Sequence, residues 1–295
     1  VNTLHSFCQV RRNYSSKIAA LGAVAVAAAI AAPKLQAAPF VLQNGNSTVT
    51  IDPASASGVE KWTVNGQNEL NQEWFWVSLG NNKPISLDQL GTPTVKLMSD
   101  SGSGNNDIAK LTYGPSNGLQ ITLTYSLDGG QTGSTTSDLT DSISITNTSN
   151  QSENLHLYEY ANFNLGGSTS GQSVAITNSN KATDTGSGVT VQTVVSPKAS
   201  HYEANTAPNL LNELNGGSAY TLSDASTSHG DGEWAFQWND TLSNSGCGGG
   251  SFNVETDQKL SGQGTPVLPE AKSSALALAA GSMLLLRRRR TAVEI

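Results

Sequence analysis

Between residues 38 and 270 this sequence has no arginine, and only seven lysines stand there against 22 acidic residues. Such a surface repels phosphate backbones, and without guanidinium forks it lacks the bidentate grip that holds them, so nucleic acid is excluded as a partner. Cysteine is nearly as scarce, with Cys8 and Cys247 the only two in 295 residues. Cys8 falls in a segment read below as a removable leader, which leaves one thiol and no internal disulfide. Cys247, in Ser245-Gly246-Cys247-Gly248-Gly249-Gly250, has no histidine near it in sequence to serve as a base and reads as an incidental loop residue. The stability of the domain must therefore come from burial in a large core. A Gly-x-Ser-x-Gly elbow, a phosphate loop, a dinucleotide fingerprint and EF-hand spacing are all missing as well.

What the sequence does have is two marked ends. Arg11, Arg12 and Lys17 precede an uncharged run, Ile18 to Ala32, built almost wholly of Ala, Val, Leu, Ile and Gly, and small residues follow at Ala37 and Ala38. A positive flank, an apolar run too short for a comfortable span and a small-residue cleavage site make a secretory leader, cut by signal peptidase after Ala37. Arg11-Arg12-Asn13-Tyr14 leaves a twin-arginine route open beside the general one. At the far end Leu268-Pro269-Glu270 is followed by the uncharged stretch Ser273 to Leu286 and then by Arg287, Arg288, Arg289 and Arg290. Those 14 uncharged residues as a helix cover about 21 Å, against about 30 Å of hydrocarbon. Four arginines can snorkel to the inner headgroups and resist outward pull, which stalls the segment with Pro269 and Glu270 near the outer face.

Residues Val267 to Arg290 resemble the PEP-CTERM sorting signal of Gram-negative bacteria, in which a Pro-Glu motif, an apolar helix and an arginine cluster are recognised by an exosortase, a membrane protease-transpeptidase. The resemblance implies an exported protein of the cell envelope or extracellular matrix, held at the inner membrane by its tail before processing. The sorting residues it implies are Pro269, Glu270 and Arg287 to Arg290. Leu268 is inserted after Val267, and Ala271 stands where the family has a second proline. Leu268-Pro269-Glu270-Ala271-Lys272 also compares with the Gram-positive sortase signal, but Ala271 and Lys272 replace its Thr and Gly. An unprocessed tail anchor is the plain alternative.

The division that follows is a leader over 1–37, a passenger domain over 38–260, a linker over 261–266 and the sorting tail over 267–295. Within the passenger, Leu119, Ile121, Leu123, Tyr125 and Leu127 alternate without error with polar residues, the period of a half-buried strand. Similar runs occur at 47–51, 59–64, 74–79, 94–98, 142–146, 154–164, 189–195, 232–239 and 251–254, and Asn65-Gly66 marks a tight turn. Pro208 and the residues to Leu214 form the single expected helix of the passenger. About ten strands without a strand-helix-strand rhythm predict an all-β protein, an antiparallel, jelly-roll-like β-sandwich, flanked by the signal helix and a transmembrane sorting helix. The segments 72–77, 160–167 and 234–238 are similar to passengers of other PEP-CTERM proteins, a resemblance that implies no activity.

Candidate chemistry is sparse, and no residue is assigned as catalytic, cofactor-binding or metal-ligating. Trp74 with Trp76, and Trp234 with Trp238, share strand faces. Exposed, they would be stacking platforms for sugar rings, and exopolysaccharide is the corresponding partner; buried, they are sandwich core. Glu159 has the parity of Leu155, Leu157, Ala161 and Phe163, which puts an acid on a buried face, where a carboxyl acquires partners or a raised pKa. His229-Gly230-Asp231-Gly232-Glu233 offers metal-ligand types without zinc spacing, and Asp100, Asp107 and Asp128 in Gly-rich surroundings leave Ca2+ as the one cofactor with any support. The leading expectation is a non-catalytic surface protein, and the alternative is a carbohydrate-binding module or a polysaccharide hydrolase.

Overall fold

The computed structural model describes residues 37–100, 102, 104–247 and 250–262. The leader, the sorting residues Pro269, Glu270 and Arg287 to Arg290, and the two expected flanking helices lie outside the described residues. Among the described residues no helix is long and apolar enough to cross a membrane.

Eighteen strands and one short α-helix are described. In chain order the strands are β1 (Phe40–Asn44), β2 (Ser47–Asp52), β3 (Gly58–Val64), β4 (Gln67–Asn68), β5 (Leu70–Leu79), β6 (Ile85–Ser86), β7 (Thr94–Met98), β8 (Ile108–Ser116) and β9 (Leu119–Gly129). There follow β10 (Thr136–Asn147), β11 (Glu153–Phe163), β12 (Gln172–Thr177), β13 (Lys181–Gly186), β14 (Val189–Ser196), β15 (His201–Thr206), β16 (Thr227–Gly230), β17 (Gly232–Leu242) and β18 (Ser251–Gly262). The helix α1 (Asn209–Leu214) lies between β15 and β16, where the sequence places it.

Two nine-stranded sheets form the sandwich. The first runs β1-β2-β3-β5-β11-β17-β15, with β4 on β3 and β6 on β5; the second runs β16-β12-β13-β14-β18-β10-β9-β8-β7. All pairings are antiparallel except the short contact of β3 with β5. The second sheet is assembled from two meanders, β7 to β10 and β12 to β14, joined through β18, so the jelly-roll expectation is corrected to a larger meander-built sandwich. Asn65 and Gly66 both adopt positive φ, 50° and 83°, the type I′ geometry that matches the twist of a two-residue hairpin. The sandwich also reaches Gly262, two residues into the expected linker, because β18 pairs with both β10 and β14 to its end.

The core lies between the sheets. From the second sheet come Leu111, Ile121, Leu123, Leu139, Ile143 and their strand-mates, at the alternation seen in the sequence. The central strands of the first sheet are buried on both faces, with Trp74 to Val77 and Gly232 to Trp238 all out of solvent. Residues 207–226 explain this, because they fold over the outer face of that sheet: Leu210 and Leu214 of α1 and Leu222 are buried, and the Leu222 amide donates to Gln237 Oε1 at 3.0 Å. Gly58, at φ 57°, lies against the Trp74 ring so closely that a Cβ would fall 2.0 Å from Cε3, and only glycine fits there.

Candidate functional site

All four candidate stacking tryptophans are buried. Trp74 and Trp76 lie on the outer face of the first sheet, Trp74 against Gly58 and Trp76 beneath residues 207–226, where its Nε1 donates to Asn215 Oδ1 at 3.1 Å. Trp234 and Trp238 lie on the opposite face, inside the sandwich, where both contact Phe236 at ring-centroid distances of 5.2 and 6.1 Å. None has a ring face open to a sugar, so the stacking assignment is corrected to core packing. Large apolar rings remove much surface from water, and all four of these are buried, two between the sheets and two on the outer face of the first sheet.

Acids are buried with them. Glu73 of β5 and Glu159 of β11 project inward from the first sheet, and Asp141 of β10 projects to meet them from the second. One oxygen of each lies within 4.8 Å of the others. Thr256 Oγ1 donates to Glu159 Oε2 at 2.9 Å, and Gln258 Nε2 donates to Glu73 Oε2 at 2.7 Å. Tyr125 stands directly beside Asp141 across the β9–β10 ladder. Burial raises the pKa of Glu159 and Asp141 well above the carboxylate range, and the neighbouring acids raise them further. Burial likewise lifts Glu73, against the lowering effect of its Gln258 bond, and pushes the Tyr125 phenol up, with help from the same acids. The parity of Glu159 anticipated its burial. Asp141 carries the same signal, alternating with Leu139, Ile143 and Ile145, whereas Glu73 is hidden in a strand that is apolar on both faces.

The other sequence candidates do not converge. His229 is exposed, while Glu233 is buried on the outer face of the first sheet, where it accepts from Tyr160 at 2.8 Å and from the Leu210 amide. Asp231 accepts instead from Asn162 Nδ2 at 3.1 Å. Asp107 is buried and accepts from the Asp100 amide and from Asn44 Nδ2, so it organises its own loop; Asp100 and Asp128 are exposed.

An open cleft of about 500 Å³ lies where the two sheets part at one end of the sandwich. Asn65 and Gln67 line it from the first sheet, Thr135 and Ser187 from loops of the second, and Glu69 is its one acidic side chain. Glu69 is nearly buried, and its Oε2 accepts from the Gly166 amide at 2.6 Å. Burial raises its pKa, and the Gly166 bond moderates the rise. A carboxyl so placed exchanges protons closer to neutrality than a free glutamate, in a cleft of the size that takes one or two sugar rings. Glu69 went unnoticed in the sequence because only the meeting of two hairpins distant in the chain makes it a cleft residue.

No protein-family model and no curated protein matches this sequence. Its fold resembles part of a bacterial glucoamylase complexed with acarbose, with a TM-score of 0.52 and 10% identity over 84% of this chain and 34% of that one. This chain thus spans about a third of the glucoamylase. A putative aldose 1-epimerase from Escherichia coli K12 aligns at a TM-score of 0.49 and 10% identity, over 76% of this chain and 99% of that one. A galactose mutarotase related enzyme from Lactobacillus acidophilus aligns at 0.48 and 7% identity, over 77% and 98%. At these identities the likeness is one of fold. The expectation of a non-catalytic passenger is corrected to this extent: the sandwich is a fold that the glucoamylase also contains, so the fold does not mark the chain as non-catalytic.

Proposed function

We propose that this protein is carbohydrate-active, taking a neutral saccharide in the Glu69 cleft with Glu69 as the proton-transfer group. The observation that carries this reading is one shielded carboxyl of raised pKa facing a cleft whose other polar side chains are amides and hydroxyls. Neutral donors and acceptors suit sugar hydroxyls, and the absence of a lysine from the lining disfavours anionic ligands. Glycoside hydrolysis by two flanking carboxylates needs a second acid, which the lining does not supply. Interconversion of anomers takes a proton from the anomeric hydroxyl and delivers one to the ring oxygen as the C1–O bond of the ring breaks, a net transfer that one carboxyl can relay by accepting at one oxygen and donating from the other.

NMR of freshly dissolved aldoses and of oligosaccharides with the purified protein tests this. Accelerated anomer exchange without cleavage is expected, and Glu69→Gln should slow it by about 10²-fold or more while the sugar still binds. Turnover undiminished in Glu69→Gln, or no saccharide perturbing signals of the cleft, overturns the reading.

We also propose that the protein is exported through its leader and sorted through Pro269, Glu270 and the Arg287 to Arg290 cluster, with an exosortase-type enzyme as processing partner. The order of motif, short apolar run and arginines supports this. Replacing Glu270 or the four arginines is expected to mislocalise the protein, and unchanged envelope fractionation of either variant counts against it.

A further inference from the structure

Glu73, Glu159 and Gln258 have no solvent exposure, nor does Tyr125, and Asp141 has 1%. Among the described residues no lysine or histidine is buried, so no basic side chain reaches this interior to balance three acids. The hydrogen bonds from Thr256 and Gln258 satisfy one oxygen each of Glu159 and Glu73. Six oxygens of the group lack a hydrogen bond of good geometry: Glu73 Oε1, Asp141 Oδ1 and Oδ2, Glu159 Oε1, Gln258 Oε1 and the Tyr125 hydroxyl, with the Thr256 hydroxyl and the Asp141 amide near enough to Asp141 only to offset part of the rise in its pKa. The Gln258 amide is informative by itself, because its nitrogen is committed to Glu73 while its carbonyl is buried and unpaired. Buried polar atoms in native proteins nearly always have partners, and six unpaired ones on neighbouring side chains, three of them carboxyls with an oxygen each within 4.8 Å of the others, point to a shared one.

We infer that Glu73, Asp141, Glu159 and Gln258, with Tyr125 beside them, form a buried Ca2+ site that pins the two sheets together. The donor set is entirely oxygen and lacks imidazole and thiolate, which selects a hard cation over zinc or copper. Carboxylates together with an amide carbonyl are ligands typical of Ca2+, and six oxygens reach the lower end of its coordination range. Mg2+ retains several waters and prefers strict octahedral geometry, which suits a dry site between two sheets poorly. Three carboxylates around a dication leave one net negative charge, to which the Thr256 hydroxyl and Gln258 amide already donate. The ligands come from β5 and β11 on one side and from β9, β10 and β18 on the other, so the cation would hold together strands far apart in the chain. The site is distinct from the Glu69 cleft and does not rest on the saccharide reading.

The full chain, purified in buffer containing CaCl2 and dialysed, is examined by elemental mass spectrometry. One calcium per chain is expected, released only on unfolding in EDTA. Refolding with Ca2+ at about 100 times its dissociation constant should place the thermal midpoint roughly 5–10 °C above that of protein refolded in EDTA. Asp141→Asn and Glu159→Gln should abolish both the bound calcium and the shift, while Glu69→Gln should keep them. A metal-free protein with the same midpoint in Ca2+ and EDTA overturns the inference, as does zinc or manganese bound in place of calcium. The wild-type metal content decides the matter even if a variant does not fold.

Discussion

Trp238→Ala is expected to destabilise the protein by about 3–5 kcal/mol, the cost of removing a large aromatic side chain from a close-packed core. The ring is 1% exposed, packs against Phe236, and donates from Nε1 to Pro197 O at 2.9 Å. Truncation therefore leaves a cavity between the sheets and deprives a carbonyl of its partner. Urea unfolding followed by circular dichroism measures the loss. Val41→Ala, at a side chain 50% exposed, is the control and should fall within about 0.5 kcal/mol of wild type. A Trp238→Ala protein as stable as that control would mean that the ring is not core.

The second large effect concerns Asp184 of β13, which lies on the inner face of the second sheet beside Val174 and Val191, 1% exposed. Burial raises its pKa from 3.8 to about 7; the nearby Thr185 amide moderates the rise and the charge of Asp231 adds to it. Between those two values the folded protein holds a proton that the unfolded chain has released. Stability contributed by the protonated acid is thus full below about pH 4 and is lost as pH climbs to about 7, a span worth roughly 4 kcal/mol. Asp184→Asn removes the titration. The variant is expected to gain about 2–4 kcal/mol relative to wild type between pH 4 and pH 8. Denaturant melts of both proteins at the two pH values check this, and a difference that does not change with pH would show that Asp184 does not titrate in that window.

Strands that face the core on one side only were legible. In β9, every second residue from Leu119 to Leu127 is apolar and inward, as the period requires. β7 and α1 also fall where the sequence places them, the helix because Pro208 precedes it. β12, β13 and β15 were not legible, since polar side chains occupy buried positions in each, Gln172 in β12, Asp184 in β13 and Glu203 in β15, and leave few apolar residues to alternate. β5 and β17 were recognised as strands, but the direction of their tryptophans was not, because burial on both faces erases alternation. The candidate sites follow the same rule. Glu159 could be placed from its own strand, but its companions Glu73 and Asp141 and the isolation of Glu69 in a cleft depend on which strands of the two sheets are laid together.

By itself the sequence determined the all-β class, the excess of acidic over basic residues between 38 and 270 and the expectation of export, since each depends on composition or on residues adjacent in the chain. The tertiary structure alone decided that the tryptophans are buried, two of them between the sheets and two on the outer face of the first sheet, that three acids meet between the sheets and that Glu69 borders a cleft. These depend on which sheet face meets which, and strand periodicity tells two faces apart without saying what will cover either one.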